Sequence, residues 1–155
     1  MQNTTLCLLV KEHDLLLAMK KRGFGEGKWN GVGGKVLLNE TIEQAALREM
    51  KEEIGIMACE DDLQPVAKMQ FHFQDRSEWD QSMSVFLLRN WKGEPVETEE
   101  MSPKWFDQKH IPFESMWPDD RHWLPLVLSG KKVEGTFYFS PQGELFDTFT
   151  LNELI

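Results

Sequence analysis

A chain of 155 residues, 41% apolar and 11% aromatic, suits one domain with a single core and needs no disulfide staples. Its net charge of −9 argues against nucleic-acid polymers and anionic membrane surfaces as partners, and leaves a small anionic ligand in need of a cation escort. Cys7 and Cys59 match neither a CxxC pair nor a zinc spacing, and neither a leader-like N-terminus nor a run of about 18 apolar residues is seen, so a cytoplasmic protein with reduced thiols is expected.

Residues 4–10 (TTLCLLV) and 15–19 (LLLAM) flank EHD and read as two paired strands. Residues 20–35 (KKRGFGEGKWNGVGGK) hold six glycines, too many for a regular element and suited to a loop whose backbone approaches a ligand closely. Phe24 and Trp29 within it argue against a flexible linker. From 41 to 54 the apolar positions Ile42, Ala45, Ala46 and Met50 predict a helix, with Asn39 or Thr41 as N-cap and Gly55 at the stop. Residues 69–74 (MQFHFQ) and 82–88 (SMSVFLL) read as strands, with 105–106 (WF) as a short third. Residues 119–129 (DDRHWLPLVLS) open with acids suited to a helix start and continue apolar, with Pro125 marking a kink or a break. The tail, 132–151, is two strand-like runs around SPQG and reads as a hairpin. Strands with two interspersed helices predict an α/β class, a mixed sheet covered by helices in one domain over 1–155.

The segment REMKEE, 48–53, places three carboxylates on the predicted helix. At about 100° per residue, Glu49 and Glu53 lie roughly 40° apart with Glu52 about 60° to one side, straddling the apolar arc of Ile42, Ala45 and Ala46. A solvated charged face would interleave Lys51 and Arg48 with the acids; here they lie on the far side. Carboxylates held near the buried side need a cation, and hard oxygen ligands favour Mg²⁺ or Mn²⁺. Upstream, Gly33 and Gly34 permit a tight turn whose carbonyls can face the same metal while N–H groups face a phosphate. The four histidines, His13, His72, His110 and His122, show no metal spacing.

The stretch 34–56, GKVLLNETIEQAALREMKEEIGI, resembles the Nudix box, Gx5Ex7REUxEExGU with U a bulky aliphatic residue, and Gly34, Glu40, Arg48, Glu49, Glu52, Glu53 and Gly55 occupy every fixed position. The resemblance implies an α/β/α sandwich that hydrolyses a nucleoside diphosphate linked to another group. It implies that Glu49, Glu52 and Glu53 bind Mg²⁺, that Arg48 orients a glutamate, that Glu40 supports the loop and helix, and that Glu100 completes the metal site. Displacement at phosphorus needs a cation that neutralises phosphate charge and lowers the pKa of a water. Glu53 is the first candidate for the group that takes the water's proton and Glu49 the second.

Beyond the box, 20–35, 95–101 (PVETEEM) and 111–126 (IPFESMWPDDRHWLPL) look like the mammalian-type MutT homologues of that family, which hydrolyse oxidised purine nucleoside triphosphates. That likeness implies 8-oxo-dGTP, with 2-hydroxy-dATP as a second substrate, attack of water at the β-phosphorus, and a monomer. It implies that Asn30, Asp119 and Asp120 hydrogen-bond the base, that Trp117 and Phe71 wall it, that Lys20 and Thr5 lie near sugar or phosphates, and that Phe24 lies near the pocket. Adjacent carboxyls in a pocket repel as a dianion, so one of Asp119 and Asp120 is expected to keep a proton near neutral pH; either could instead cap the following helix. Val32 and 76–83 (RSEWDQSM) depart from the pattern. Another nucleotide as substrate, or a nucleotide-sensing module, are the competing readings.

Overall fold

The computed structural model describes residues 1–154. Its centre is a strand buried on both faces: β1 (Gln2–Lys11) has no exposed residue from Thr4 to Val10. That explains its near-continuous apolar run, since a strand covered on both sides has no solvent face to mark with polar residues. Its side chains alternate between two cores. Leu6, Leu8 and Val10 join one, and Cys7 and Leu9 the other.

β1 turns through Glu12, at φ 56°, into β2 (Asp14–Lys20), and the two pair antiparallel as expected, Leu9 opposite Leu16. The sheet is mixed. β1 runs parallel to β5 (Gln81–Leu88), and β4 (Gln64–Phe73) runs antiparallel to β5 and parallel to β7 (Lys132–Phe139). The strand order is β3 (Trp29–Asn30), β2, β1, β5, β4, β7, β8 (Thr150–Leu154), with β6 (Met101–Asp107) on the other side of β2.

Helix α1 (Ile42–Ile54) covers one face, packing Ala46, Met50 and Ile54 on the core with Cys7 and Leu9. Helix α2 (Asp120–Leu128) covers the opposite face with Trp123, Leu124 and Val127. This is the expected sandwich. Thr41 is the N-cap: its hydroxyl accepts from Gln44 N (3.0 Å) while Gln44 Oε1 accepts from Thr41 N (2.9 Å), a reciprocal capping box. Asn39 sits instead in the preceding turn at φ 68°. Pro125 lies within α2 without ending it.

Three elements depart from expectation. β6 runs over Met101–Asp107 rather than 105–106 alone. Among the described residues it pairs with β2 alone, and an edge strand tolerates Pro103 and Lys104, which mask its pattern. β4 begins at Gln64, five residues before the expected start at 69, because a register shift between Pro65 and Ala67 accommodates the proline. At the C-terminus the turn at SPQG forms, with Gly143 N donating to Ser140 O (2.9 Å). The returning chain makes one bridge, Phe139 with Leu145, before leaving the ladder, and β8 (Thr150–Leu154) pairs further along β7.

Candidate active site

The glycine-rich segment is ordered by two sets of backbone bonds. Its two-residue strand β3 (Trp29–Asn30) pairs with Ala18 and Met19 of β2. The following residues zip onto β1: Cys7 and Val32 exchange bonds, Thr5 N donates to Gly34 O (2.9 Å), and Val36 N donates to Asn3 O (2.9 Å). Two glycines are required by closeness. A Cβ on Gly33 would lie 1.8 Å from Thr5 O, and one on Gly34 would lie 2.7 Å from Glu49 Cδ. The loop therefore presses directly against the acidic face of α1.

Arg48 ties loop to helix, and it stands among the acids, about 40° around the helix from Glu52, rather than on the far side as expected. Its Nε and Nη2 donate to both oxygens of Glu40 (2.7 and 3.0 Å), Nη1 to Glu49 (2.9 Å) and Glu52 (3.2 Å), and Nη2 also to the Lys35 carbonyl (2.9 Å). The bidentate bond from the Arg48 guanidinium holds the Glu40 carboxyl below its usual range. Glu53 is buried beside Glu49, with Thr98 Oγ1 on its own carbonyl (2.8 Å). Burial first, then its hydrogen bond with Glu49 and that residue's charge, push the Glu53 carboxyl up to about 9. Cys7, beneath it, is pushed up chiefly by burial and further by Glu53.

The four glutamates do not form a closed cage. Glu49 and Glu53 adjoin, whereas Glu52 turns outward to Arg48 and Glu100 pairs with Arg22 (3.3 Å). Among the described residues no three His, Cys, Asp or Glu side chains converge as metal ligands would. The donor set still suits a hard divalent cation. It consists of carboxylate oxygens, and Glu53 Oε2 is buried with no protein partner. Exposed ion pairs such as those of Glu52 and Glu100 are worth about 0–1 kcal/mol, so a divalent cation can draw those carboxylates away.

Gly33 and Gly34 are also the near wall of a cavity of about 340 Å³. Thr5, Lys20, Phe24, Asn30, Phe71, Trp117, Asp119 and Asp120 all line it, so the eight residues expected to contact substrate share one chamber. Asp119 and Asp120 are buried on its wall. Asp119 occupies the N-cap position of α2 but makes no side-chain cap; its Oδ2 accepts from Trp123 Nε1 instead (2.7 Å). Burial raises the Asp119 carboxyl to about 6 against the lowering effect of that bond. Asp120 is pushed well above the usual carboxylate range by burial and by Asp119, in keeping with one retained proton. Asn30 Oδ1 accepts from Gly31 N (2.9 Å), which leaves its amide N–H groups to donate elsewhere. Among the described residues three buried side-chain oxygens lack a partner, on Thr5, Glu53 and Asp120. All three belong to this site.

Sequence reasoning missed part of the aromatic wall. Phe73, Trp79 and Phe139 line the cavity, and Phe73 touches four rings, those of Phe24, Trp79, Trp117 and Phe139. The alternation of β4 could have found Phe73, two residues from Phe71 and on the same face. Trp79 stands in a charged turn with no periodic signal.

An acid-lined helix held by an arginine hub thus stands beside a cavity of about 340 Å³ on a mixed sheet. Residues 1–127 match the NUDIX domain, and the chain belongs to the Nudix hydrolase family, whose members generally use divalent metal ions. It is 49% identical over 135 residues to the oxidized purine nucleoside triphosphate hydrolase of Danio rerio, covering 87% of this chain and 85% of that one. With the mouse protein of the same name, from Mus musculus, it shares 43% over 150 residues, 97% of this chain and 94% of that one. In fold it matches the MutT protein of Bacillus halodurans with a TM-score of 0.85 and 24% identity, over 98% of each chain.

Proposed function

We propose that this chain hydrolyses oxidised purine nucleoside triphosphates, 8-oxo-dGTP first and 2-hydroxy-dATP second, to the monophosphate and pyrophosphate, in the cytoplasm and as a monomer. The observation that carries this reading is the pair of adjacent buried carboxyls, Asp119 and Asp120, facing a cavity that Asn30 and Trp117 also line. The activity named for the zebrafish and mouse relatives agrees with it.

Oxidation at C8 gives guanine a new N7–H donor and a new carbonyl acceptor. A carboxylate accepts from ring N–H groups, a protonated carboxyl donates, and the Asn30 amide donates to a base carbonyl. Asp119, with one oxygen held by Trp123, keeps the other for the base. Asp120, with a buried unpaired oxygen, would hold the proton. A guanine without the oxidised edge leaves one of these groups unsatisfied, which is costly in a buried site.

Toward phosphate, Lys20 and Thr5 would steady the sugar and polyphosphate from the cavity wall. Glu49, Glu52, Glu53 and Glu100, with the Gly33 carbonyl, would hold Mg²⁺, or Mn²⁺ in its place, which when bound neutralises phosphate charge and acidifies a water. Arg48 keeps Glu49 aimed by a 2.9 Å bond. Glu53 is the first choice to accept the water's proton, with Glu49 second. Free Cys7 and Cys59 fit a reducing compartment.

Pyrophosphate release from 8-oxo-dGTP and dGTP, measured side by side with Mg²⁺ and with chelator, tests the proposal. A strong, metal-dependent preference for the oxidised base is expected. Equal rates on the two nucleotides, or turnover of neither, would overturn it.

A further inference from the structure

We propose that Trp79 is a further substrate-binding residue, an aromatic wall over the outer side of the nucleobase. The inference rests on the cavity being the base site; it concerns a segment, 76–83, that departs from the family pattern.

The connection from β4 to β5 is shaped to carry an indole back over the cavity. After Phe73 the chain turns through Asp75, at φ 60°, and a short 3-10 turn at Ser77–Trp79 closes with Trp79 N on Arg76 O (2.9 Å) and Asp80 N on Ser77 O (3.1 Å). Asp80 pins the turn to the strand it came from. Its Oδ1 accepts from Phe73 N (2.8 Å), and its Oδ2 lies 3.2 Å from His72 Nδ1. The Arg76 guanidinium lies over the Trp79 indole, 5.2 Å from the ring centre.

Held this way, Trp79 lines the cavity and meets two other rings. Phe24, from the glycine-rich loop, lies 5.4 Å away at 54°, and Phe73 lies 5.6 Å away at 90°. Phe24 in turn stacks on Trp117 at 5.2 Å and 28°. Three separate segments thus close one aromatic enclosure, and Trp79 is the member contributed by the β4–β5 turn. A half-buried indole kept at a cavity wall by an aspartate and an arginine has its ring surface prepared for another π-system, since aromatic surface binds bases through stacking and edge contacts that every purine offers. It carries no donor or acceptor pattern aimed by a partner, so it adds affinity while Asn30, Asp119 and Asp120 supply discrimination.

Kinetics on Trp79→Ala and Trp79→Leu test this. KM for 8-oxo-dGTP and for dGTP should rise together, by about tenfold, with kcat within about twofold and the ratio between the two nucleotides preserved. The dissociation constant of 8-oxo-dGMP in chelator should rise by the same factor, independent of any metal. Trp79→Phe should recover most of the loss. Asp80→Ala should raise KM part of the way, and Asp80→Asn, which keeps an acceptor for Phe73 N, should restore it. Thermal unfolding identifies a variant that is not folded at the assay temperature, and Trp79→Leu, which keeps apolar bulk, then decides. Folded variants with unchanged KM and unchanged binding, or with only kcat reduced, would overturn the proposal. Failure of the oxidised-purine reading is separately visible, as a wild-type ratio near one, a quantity that Trp79 does not set.

Discussion

Glu53→Gln is expected to stabilise the metal-free protein while removing its activity. In the folded chain the Glu53 carboxyl has its pKa raised from 4.5 to about 9 by burial and by Glu49. At pH 7 the unfolded chain carries this group ionised, and folding must return a proton to it. The cost is the distance from pH 7 down to the unfolded value, on the order of 3 kcal/mol. Stability contributed by the neutral carboxyl is fully present below 4.5 and is lost as pH rises through about 9. Glutamine has the same shape, can still donate to Glu49, and needs no proton. In chelator at pH 7, Glu53→Gln should therefore melt higher than wild type, by roughly 5–10 °C for a domain of this size. The variant should also lose most of the decline in melting temperature between about pH 5 and pH 9. Added Mg²⁺ should raise the melting temperature of wild type more than that of the variant, because a ligand stabilises only the state that binds it. Differential scanning calorimetry across pH, with and without chelator, reads all three. An equal or lower melting temperature in chelator with an unchanged pH slope would refute the reasoning, and near-wild-type turnover at saturating Mg²⁺ would remove Glu53 as the base.

Gly34→Ala places a Cβ 2.7 Å from Glu49 Cδ, so kcat should fall at least about tenfold as that carboxylate is displaced, while the dissociation constant of 8-oxo-dGMP in chelator changes little; an unchanged kcat would count against the placement of Glu49. Arg48→Ala strands Glu40 and Glu49 and should lower the midpoint of urea unfolding, and Arg48→Lys, lacking the planar fork, should recover little of it. The kcat/KM profile for 8-oxo-dGTP should show an inflection near pH 6 from Asp119 that Asp119→Asn removes. In Trp123→Phe, which deletes the bond to Asp119 Oδ2, the inflection should move to higher pH, because that bond favours the ionised form. For stability, the raised Asp119 pKa favours the fold at low pH, with the benefit lost as pH rises from 3.8 through about 6; calorimetry of Asp119→Asn over that window should show a flatter profile.

How much was legible in the residues depended on how local the physics was. Helix α1 could be read from the chain alone because its periodicity, its Thr41–Gln44 cap and its Gly55 stop at φ 72° are all settled within a few residues. The same spacing placed Glu49 and Glu53 toward the buried side, where they lie. The motif then carried the family, and with it the cavity residues, whose convergence from β1, β2, the glycine-rich loop, β4 and the turn before α2 no local pattern could announce.

Tertiary structure decided the rest. β6 was obscured because an edge strand is defined by its neighbour β2 rather than by its own alternation. Asp119 looked equally suited to capping α2 and to facing a ligand, and only the position of Trp123 one turn later settled which bond it makes. Glu52 and Glu100 were grouped with Glu49 and Glu53 by motif, yet their outward ion pairs depend on where Arg48 and Arg22 reach. Trp79 lay in a stretch of charges without periodic signal, and its place in the aromatic enclosure exists only because Asp80 folds the β4–β5 turn back onto Phe73. Caps and periodicity act within a turn of chain; cavities and ion-pair choices are set by residues tens of positions apart, and only the folded molecule brings those together.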